Sequence, residues 1–148
     1  MKKSESSRFN IDLFQWAEKE DCIGIAKLIC SCPFIGSHYT EKKLEKQLLD
    51  RMENHNCKNL ILKINGKIEG HIGVFASSEK LDVLGGLIVN PELRGKQYGK
   101  RLLETLAASI IETGKIPVFY CYDEKLIKWY SSLGWNTVSV VGKLEWRN

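Results

Sequence analysis

Apolar and polar positions in the first third of the chain predict one strand followed by two helices. Residues 8–14 alternate between polar and apolar side chains, which is typical of a half-buried strand. The next apolar pattern predicts a helix that is capped by Asp21 and ends before Pro33, since the residue before a proline disfavours the helical conformation. A second helix is expected after a cap at Thr40. Its apolar face comprises Leu44, Leu48 and Met52.

The middle of the chain predicts three antiparallel strands. Residues 59–64 and 67–75 are rich in apolar side chains and flank Asn65-Gly66. Asn-Gly favours a type I′ hairpin turn, in which both residues have positive φ. Residues 76–80 form a second connection to the run 81–89, which completes a three-stranded meander.

A basic, glycine-bearing loop at residues 94–100 joins this meander to a helix. Residues 102–111 carry apolar side chains at the spacing of one buried helical face, and Gly114 supplies a stop. The first N–H groups of a helix have no partner within it, and the helix dipole is positive there. The loop is therefore a candidate phosphate cradle. The alternative is a tight turn with solvated lysines, and the loop matches neither G-x-x-x-x-G-K-[ST] nor G-x-G-x-x-G.

The last third of the chain predicts further strands around one short helix. Residues 116–122 form a strand that has Pro117 near its start or on an unpaired edge. Residues 124–132 form a helix, which Asp123 caps and Gly134 closes. Two β-rich stretches follow, at residues 135–141 and 144–146.

These elements predict an α/β fold with one mixed, mostly antiparallel sheet. The expected total is about seven strands and about four helices. Residues 1–7 are polar and are expected to form a flexible tail, and residues 8–148 to form one domain.

Composition is that of an ordinary soluble protein. The chain has 148 residues, of which 43% are hydrophobic and 27% charged, and its net charge is +4. That charge does not by itself indicate a nucleic-acid partner. The five cysteines lack the spacing of a zinc site or a disulfide framework, so reduced and mostly buried thiols are expected, with no metal. We find no signal peptide or membrane span and expect a cytoplasmic protein with no membrane partner.

Two motifs resemble those of the GCN5-related N-acetyltransferase (GNAT) family. Residues 94–99 resemble the acetyl-CoA-binding motif Q/R-x-x-G-x-G/A, with Arg94 at the first position and Gly99 at the last. Gln97 departs from the motif, because it stands where the middle glycine is usual.

The second motif is Asp123-Glu-Lys-Leu-Ile-Lys-Trp-Tyr-Ser-Ser-Leu-Gly-Trp135. It resembles the family pattern N-x-x-A-x-x-F-Y-x-x-x-G-F, with Tyr130 at the tyrosine position. Asp123 stands where asparagine is common, and Leu126 replaces the small residue. Because both motifs occur in the family's order, the resemblance is not explained by coincidence.

The resemblance implies an acetyl-CoA-dependent enzyme with a splay between strands four and five. A bulge at Gly85-Gly86 would turn backbone groups near Leu87 and Val89 toward pantetheine and the thioester. The alternative explanation for these two glycines is that they allow close packing under a helix. The cofactor-binding residues that the resemblance implies are Leu87, Ile88, Val89, Arg94, Gly95, Lys96, Gln97, Tyr98, Gly99, Lys100 and Asp123.

Tyr130 matches the family tyrosine that protonates the leaving thiolate, and its alternative role is packing. The family often carries an acid where this chain has Gly85-Gly86, so the general base stays open. The candidates are Asp82, Glu69, His71 and water.

The expected function is transfer of an acetyl group from acetyl-CoA to a primary amine of a small molecule or peptide, by direct attack. The alternative is a non-catalytic acyl-CoA-binding or regulatory domain, and a nucleic-acid patch is a weaker third hypothesis. In the family, the segment around Phe34, His38 and Tyr39 contributes to the acceptor wall, whereas local packing is the other interpretation. The protein is expected to be a monomer or a homodimer.

Overall fold

The computed structural model describes residues 13–33 and 39–138. Within those ranges a five-stranded sheet is flanked by four α-helices. The strands are β1 Phe14–Trp16, β2 Asn59–Ile64, β3 Lys67–Ser77, β4 Leu81–Val89 and β5 Ile116–Val118. The helices are α1 Cys22–Cys30, α2 Glu41–Asn54, α3 Tyr98–Glu112 and α4 Glu124–Ser132.

The strands lie in the order β1-β2-β3-β4-β5, with three antiparallel pairs and one parallel pair between β4 and β5. The hairpin between β2 and β3 is the predicted one, since Asn65 has φ 51° and Gly66 φ 77°. The mixed, mostly antiparallel α/β sheet is therefore confirmed.

The parallel pairing of β4 with β5 is short. It begins at Leu81 with Ile116 and ends at Val83 with Val118. From Leu84 to Val89, β4 has no strand beside it on that side within the described residues. This is the expected splay, and it leaves one edge of β4 open.

Helices cover both faces of the sheet, because successive strand residues point to opposite sides. On one face, Leu60 and Ile72 pack against the buried residues of α3, which are Leu102, Leu103, Leu106, Ala107 and Ile110. On the other face, Ile61 and Ile88 pack against α1 and α2. The apolar spacing predicted for α3 produces this packing.

Several predicted elements differ from the structure. The first strand begins at Phe14, where the prediction ended it, and residues 8–12 lie outside the described part. Asp21 precedes α1 but does not cap it: its carboxylate accepts from the Glu18 N–H at 2.8 Å and pairs with Lys63 at 3.2 Å.

The end of the chain also has less strand than predicted. Residues 119–122 have no strand partner among the described residues, so β5 stops at Val118, and residues 135–138 are not a strand either. The described part has five strands where about seven were predicted, and the β-rich stretches at 139–141 and 144–146 lie outside it, as does the tail at 1–7. No helix in the described ranges is long and apolar enough to cross a membrane.

Candidate active site

The basic loop starts from a fixed point at the end of β4. The backbone N–H of Asn90 donates to the carbonyl of Glu69 at 2.8 Å, and its side-chain amide donates to the Glu69 carboxylate at 2.6 Å. Pro91–Leu93 then forms a single 3₁₀ turn, with the Asn90 side chain accepting from the Glu92 N–H at 3.1 Å. The loop is thus tied to β3 before it turns into α3.

Backbone N–H groups are available where the loop enters α3. Arg101 is the first residue whose N–H bonds back into the helix, to the Gln97 carbonyl at 3.1 Å. The N–H groups of residues 95–100 have no backbone or side-chain acceptor among the described residues, and no side chain caps α3. Donors of this kind, at the positive end of a helix dipole, bind anions.

Gln97 adopts the conformation that a glycine would favour. Its φ of 62° and ψ of 20° lie in the left-handed region, and Gly95 has φ 85°. The departure from the motif therefore leaves the turn intact and places the strain on Gln97. A Cβ at Gly99 would lie 3.9 Å from the Val89 side chain, which is an ordinary contact, so the last motif position has room for alanine as well.

The loop's charges face solvent. Arg94 and Lys96 are exposed, and neither has an ion-pair partner within the described part of the chain. Lys100 is half-buried and reaches Glu104 at 4.0 Å. Arg101 instead lies over the Phe14 ring, 4.5 Å from its centroid. Two unpaired cations beside free N–H groups make an electropositive surface at the start of α3.

The predicted bulge is present in β4. His71 pairs with Ile88 and Gly73 with Gly85, so Gly86 and Leu87 together lie opposite the single residue Ile72. Gly86 has φ 66°, which a residue with a side chain adopts only with strain. The bulge lies on the part of β4 that β5 leaves uncovered.

The Phe75 ring lies against Gly85, one of the two glycines at the place where the family often carries an acidic residue. A Cβ built on Gly85 would lie 2.2 Å from two atoms of the Phe75 ring, so the ring rests directly on the glycine backbone. The Arg51 guanidinium lies over this ring, 4.6 Å from its centroid. Gly85 thus packs closely against a side chain of β3 and not under a helix, while Gly86, which forms the bulge, would also crowd His71 and Phe75 if it carried a Cβ.

His71 is fully buried and hydrogen-bonded at both ring nitrogens. Nδ1 lies 2.8 Å from the Gly86 carbonyl oxygen, and Nε2 lies 2.8 Å from the Asn59 side-chain oxygen. Burial lowers the pKa of the imidazole to about 4, although the bond to Gly86 opposes the shift. A ring without solvent contact or a free nitrogen is poorly placed to receive a proton from substrate.

The two carboxylate candidates for the general base are also engaged. Asp82, at the other end of β4 from the loop, accepts from Ser77 at 2.6 Å and pairs with Lys115 at 3.3 Å. Glu69 accepts from Asn90, and Lys67 lies 3.7 Å away. Both carboxylates therefore hold neighbouring segments together.

Tyr130 packs against the same apolar cluster as Leu87 and Val89, which precede the basic loop on β4. Its ring centroid lies 4.3 Å from that of Phe119 and 5.0 Å from that of Trp129. Burial, and to a lesser degree the nearby Cys121 thiol, raises the pKa of Tyr130 above that of a free phenol. The hydroxyl therefore stays protonated at neutral pH.

Asp123 caps α4 as predicted, since its carboxylate accepts from the N–H groups of Lys125 at 2.8 Å and Leu126 at 3.4 Å. Tyr39 is exposed, whereas Phe34 and His38 lie outside the described residues. All five cysteines are free; Cys22 and Cys57 are buried and the other three are partly exposed.

Sequence reasoning missed Asn59, Gly73 and Phe75. Asn59 is the polar first residue of an apolar strand and is 2% exposed. A Cβ on Gly73 would lie 2.2 Å from the Asn59 oxygen, so this glycine makes room for the bond between Asn59 and His71. One polar residue, Asn59, and four glycines inside three apolar strands were the available signal.

One groove lies away from these residues. It has a volume of about 540 Å³ and lies between β1 and α3, at the opposite edge of the sheet from β5. Its lining residues are Trp16, Glu104, Thr105, Ala108, Ser109 and Glu112. It contains none of the predicted site residues.

Comparison with known proteins identifies the family. The model of the Acetyltransferase (GNAT) family matches residues 23–135, which is more than half of the 148-residue chain. A search of curated proteins found no match.

Solved structures share the fold at low sequence identity. Glucosamine-6-phosphate N-acetyltransferase from Arabidopsis thaliana superposes with a TM-score of 0.69 and 18% identity, over 90% of this chain and 99% of that chain. Ribosomal-protein-alanine N-acetyltransferase from Brucella melitensis biovar Abortus 2308 gives 0.71 and 16%, over 90% and 99%. A predicted acetyltransferase from Clostridium acetobutylicum, solved with acetyl-CoA, gives 0.71 and 14%, over 89% and 94%.

These structures support the fold alone, because all three are less than 25% identical to this chain. The family match is independent of them and spans both motifs up to Trp135. Together with the bulged and splayed β4, it shows that the chain belongs to the acetyltransferase (GNAT) family.

Proposed function

We propose that this protein transfers the acetyl group of acetyl-CoA to a primary amine by direct attack in a ternary complex. The observation that carries the proposal is the open edge of β4, which holds the bulge and runs directly into a loop with unpaired N–H groups and cations. One domain, residues 8–148, would hold both substrates. We expect it to act in the cytoplasm as a monomer or homodimer, with no nucleic-acid or membrane partner.

The cofactor would lie along the path from the loop to the bulge. The N–H groups of residues 95–100 and the charges of Arg94, Lys96 and Lys100 would bind its phosphates. The pantetheine arm would pair with the uncovered backbone of Leu87, Ile88 and Val89, as an added strand does at a sheet edge. Asp123 is a further cofactor contact implied by the motif, although its carboxylate already caps α4.

In the reaction, the amine nitrogen attacks the thioester carbonyl and negative charge develops on the carbonyl oxygen. A backbone N–H at the bulge would donate to that oxygen. As the C–S bond breaks, the sulfur takes the electron pair and receives a proton from Tyr130. The phenol of Tyr130 is protonated at neutral pH, and its raised pKa makes it a weaker acid than a free phenol.

We propose water as the acceptor of the amine's proton. His71 has no free nitrogen, and Asp82 and Glu69 each hold a neighbouring segment. Phe75 fills the space over Gly85 where an acid would otherwise project. Without a nearby carboxylate, a weakly basic amine would be favoured, because more of it is neutral at pH 7.

The acceptor is either a small molecule or a peptide. Two proteins of this fold are, by their names, N-acetyltransferases of glucosamine-6-phosphate and of ribosomal-protein alanine. The fold therefore serves both acceptor classes, and we assign neither of them to this chain.

The test is an amine screen with acetyl-CoA, in which the wild type is compared with Tyr130→Phe. We expect at least one amine to be acetylated, and we expect Tyr130→Phe to lower kcat by about 10–100-fold with unchanged acetyl-CoA affinity. If the wild type binds acetyl-CoA but acetylates nothing across small amines and peptides, the non-catalytic alternative replaces the proposal. Unchanged kcat in Tyr130→Phe would remove Tyr130 from the mechanism.

A further inference from the structure

A buried polar unit lies behind the bulge. It consists of Asn59 on β2, His71 on β3 and Gly86 on β4, which are linked across three strands by two contacts of 2.8 Å. Asn59 is 2% exposed and His71 0%. Burying an amide and an imidazole is unfavourable unless each finds a hydrogen-bond partner, so the arrangement must be specific.

The partners determine which nitrogen of His71 carries the proton. The Gly86 carbonyl can only accept, so Nδ1 of a neutral ring is the donor. Nε2 must then accept a hydrogen bond. The Asn59 atom that faces Nε2 must therefore be the NH₂ group and not the oxygen, which a half-turn of the planar amide achieves. Asn59 therefore holds His71 in the tautomer that bonds to the bulge.

The bond to Gly86 also determines where the next N–H points. Peptide bonds in the described chain are all trans, so the Leu87 N–H is antiparallel to the Gly86 carbonyl. Because that carbonyl points to His71, the Leu87 N–H points away from it. Leu87 is one of the residues to which the proposed function assigns cofactor contacts.

Two glycines make this arrangement possible. A Cβ on Gly73 would overlap Asn59, and a Cβ on Gly86 would lie 3.0 Å from Cε1 of His71. The φ of 66° at Gly86 rotates its peptide out of the β-ladder and toward the ring. The unit thus has space only for these residue types at these positions.

We infer that His71, held by Asn59, is a positioning residue: it fixes the Gly86–Leu87 peptide so that the Leu87 N–H is aimed at the thioester oxygen. This rests on the proposed function. His71 does not touch the substrate, and it acts by holding a donor in place before charge develops.

Two substitutions of His71 separate the hydrogen bond from the ring. The amide of His71→Asn overlays Cγ, Nδ1 and Cδ2 of the imidazole and keeps a donor near the position of Nδ1. His71→Leu has the same branching and no donor. Ile61→Val is the control, because Ile61 pairs with His71 on β2, is 0% exposed and has a side chain that cannot form a hydrogen bond.

The first measurement uses the free protein and needs no acceptor amine. In ¹⁵N–¹H spectra, the Leu87 amide resonance should move in His71→Leu and stay near its wild-type position in His71→Asn and Ile61→Val. If it moves equally in all three variants or in none, the inference is wrong. Should His71→Leu not fold, Asn59→Leu removes the ring's other partner and is read in the same way.

The second measurement is kinetic. We expect His71→Leu to lower kcat by about 100-fold, as the loss of one oxyanion donor does, with acetyl-CoA affinity changed less than about threefold. His71→Asn should restore at least about tenfold of that loss. Equal losses in His71→Leu and Ile61→Val would show a purely structural role. A wild type that does not bind acetyl-CoA would refute the proposed function, whereas the amide spectra would still decide whether His71 fixes the Leu87 N–H.

Discussion

Replacing Gly85 with alanine tests whether Phe75 occupies the place of the missing acid. The added Cβ would lie 2.2 Å from Cδ2 and Cε2 of the ring, whereas carbon atoms in contact lie about 3.5–4.0 Å apart. The ring must therefore move by more than about 1 Å. The Arg51 guanidinium lies over the ring, 4.6 Å from its centroid, so a shift of the ring also disturbs this contact.

The expected loss of stability follows from this overlap. Overpacking of this kind costs about 1–3 kcal/mol, and the half-buried position of Phe75 places Gly85→Ala near about 2 kcal/mol. Gly85 has no positive φ, so no backbone strain is added. In a Phe75→Ala background the overlap is gone, and Gly85→Ala should be neutral or stabilising by up to about 1 kcal/mol, because alanine restricts the unfolded chain.

Urea unfolding of the wild type, both single variants and the double variant measures this coupling. We expect the two substitutions to couple by at least about 1.5 kcal/mol, so that the double variant is more stable than the sum of the single losses predicts. Gly86→Ala serves as a contrast and should couple more weakly to Phe75→Ala, since its Cβ would lie 3.2 Å from the ring, not 2.2 Å, and the strain of its φ of 66° stays when the ring is removed. If Gly85→Ala costs the same with and without the ring, the assignment of Gly85 to Phe75 packing is refuted.

Three further predictions concern His71, Gln97 and Asp123. The pKa of His71 is about 4 in the folded protein and 6.5 in the unfolded chain, so the stability that its neutral form contributes is complete above pH 6.5 and is lost as pH falls toward 4. In urea unfolding over that range, we expect the wild type to lose about 3 kcal/mol more stability than His71→Asn. Parallel curves of unfolding free energy against pH would contradict the pKa shift. Gln97→Gly should keep or raise Tm, because the relief of about 1–2 kcal/mol of left-handed backbone strain exceeds the cost of the entropy that glycine adds to the unfolded chain. Gln97→Val should lower Tm. The opposite order of Tm in calorimetric scans would disprove the φ of 62° at Gln97. Asp123→Ala should destabilise the protein by about 1 kcal/mol, because α4 loses its cap, and Asp123→Asn should destabilise it by less, because asparagine can also cap. Equal losses of stability in chemical unfolding would argue against the capping role.

The sequence predicts the part of the fold that local rules control. Periodicity locates α3, and the Asn65-Gly66 turn fixes the first two pairs of β2 and β3, up to the bulge after which the register shifts. Asp123 caps α4 because a cap needs only its own next few residues. The bulge is anticipated from two adjacent glycines in a strand, in combination with the family resemblance.

Features that depend on distant residues were not predicted. The Asp21 carboxylate, predicted to cap α1, pairs instead with Lys63 on β2 and with the Glu18 N–H. β5 ends early because β4 diverges from it after Val83, and no local pattern in residues 119–122 signals that divergence. The contacts from Asn59 to His71 and from Phe75 to Gly85 join separate strands, so they depend on pairing that the sequence does not specify residue by residue.

Calorimetric titration with acetyl-CoA tests the central claim most directly. Wild type should bind, and Arg94→Glu should weaken binding at least about tenfold, because it removes one charge-assisted phosphate contact and adds repulsion. Lys46→Glu is the matched control, since Lys46 is exposed on α2 and makes the same change of net charge. Its affinity should stay within about twofold of wild type. A folded wild type that does not bind, or equal affinities in Arg94→Glu and Lys46→Glu, would contradict the assignment of the loop as the cofactor site.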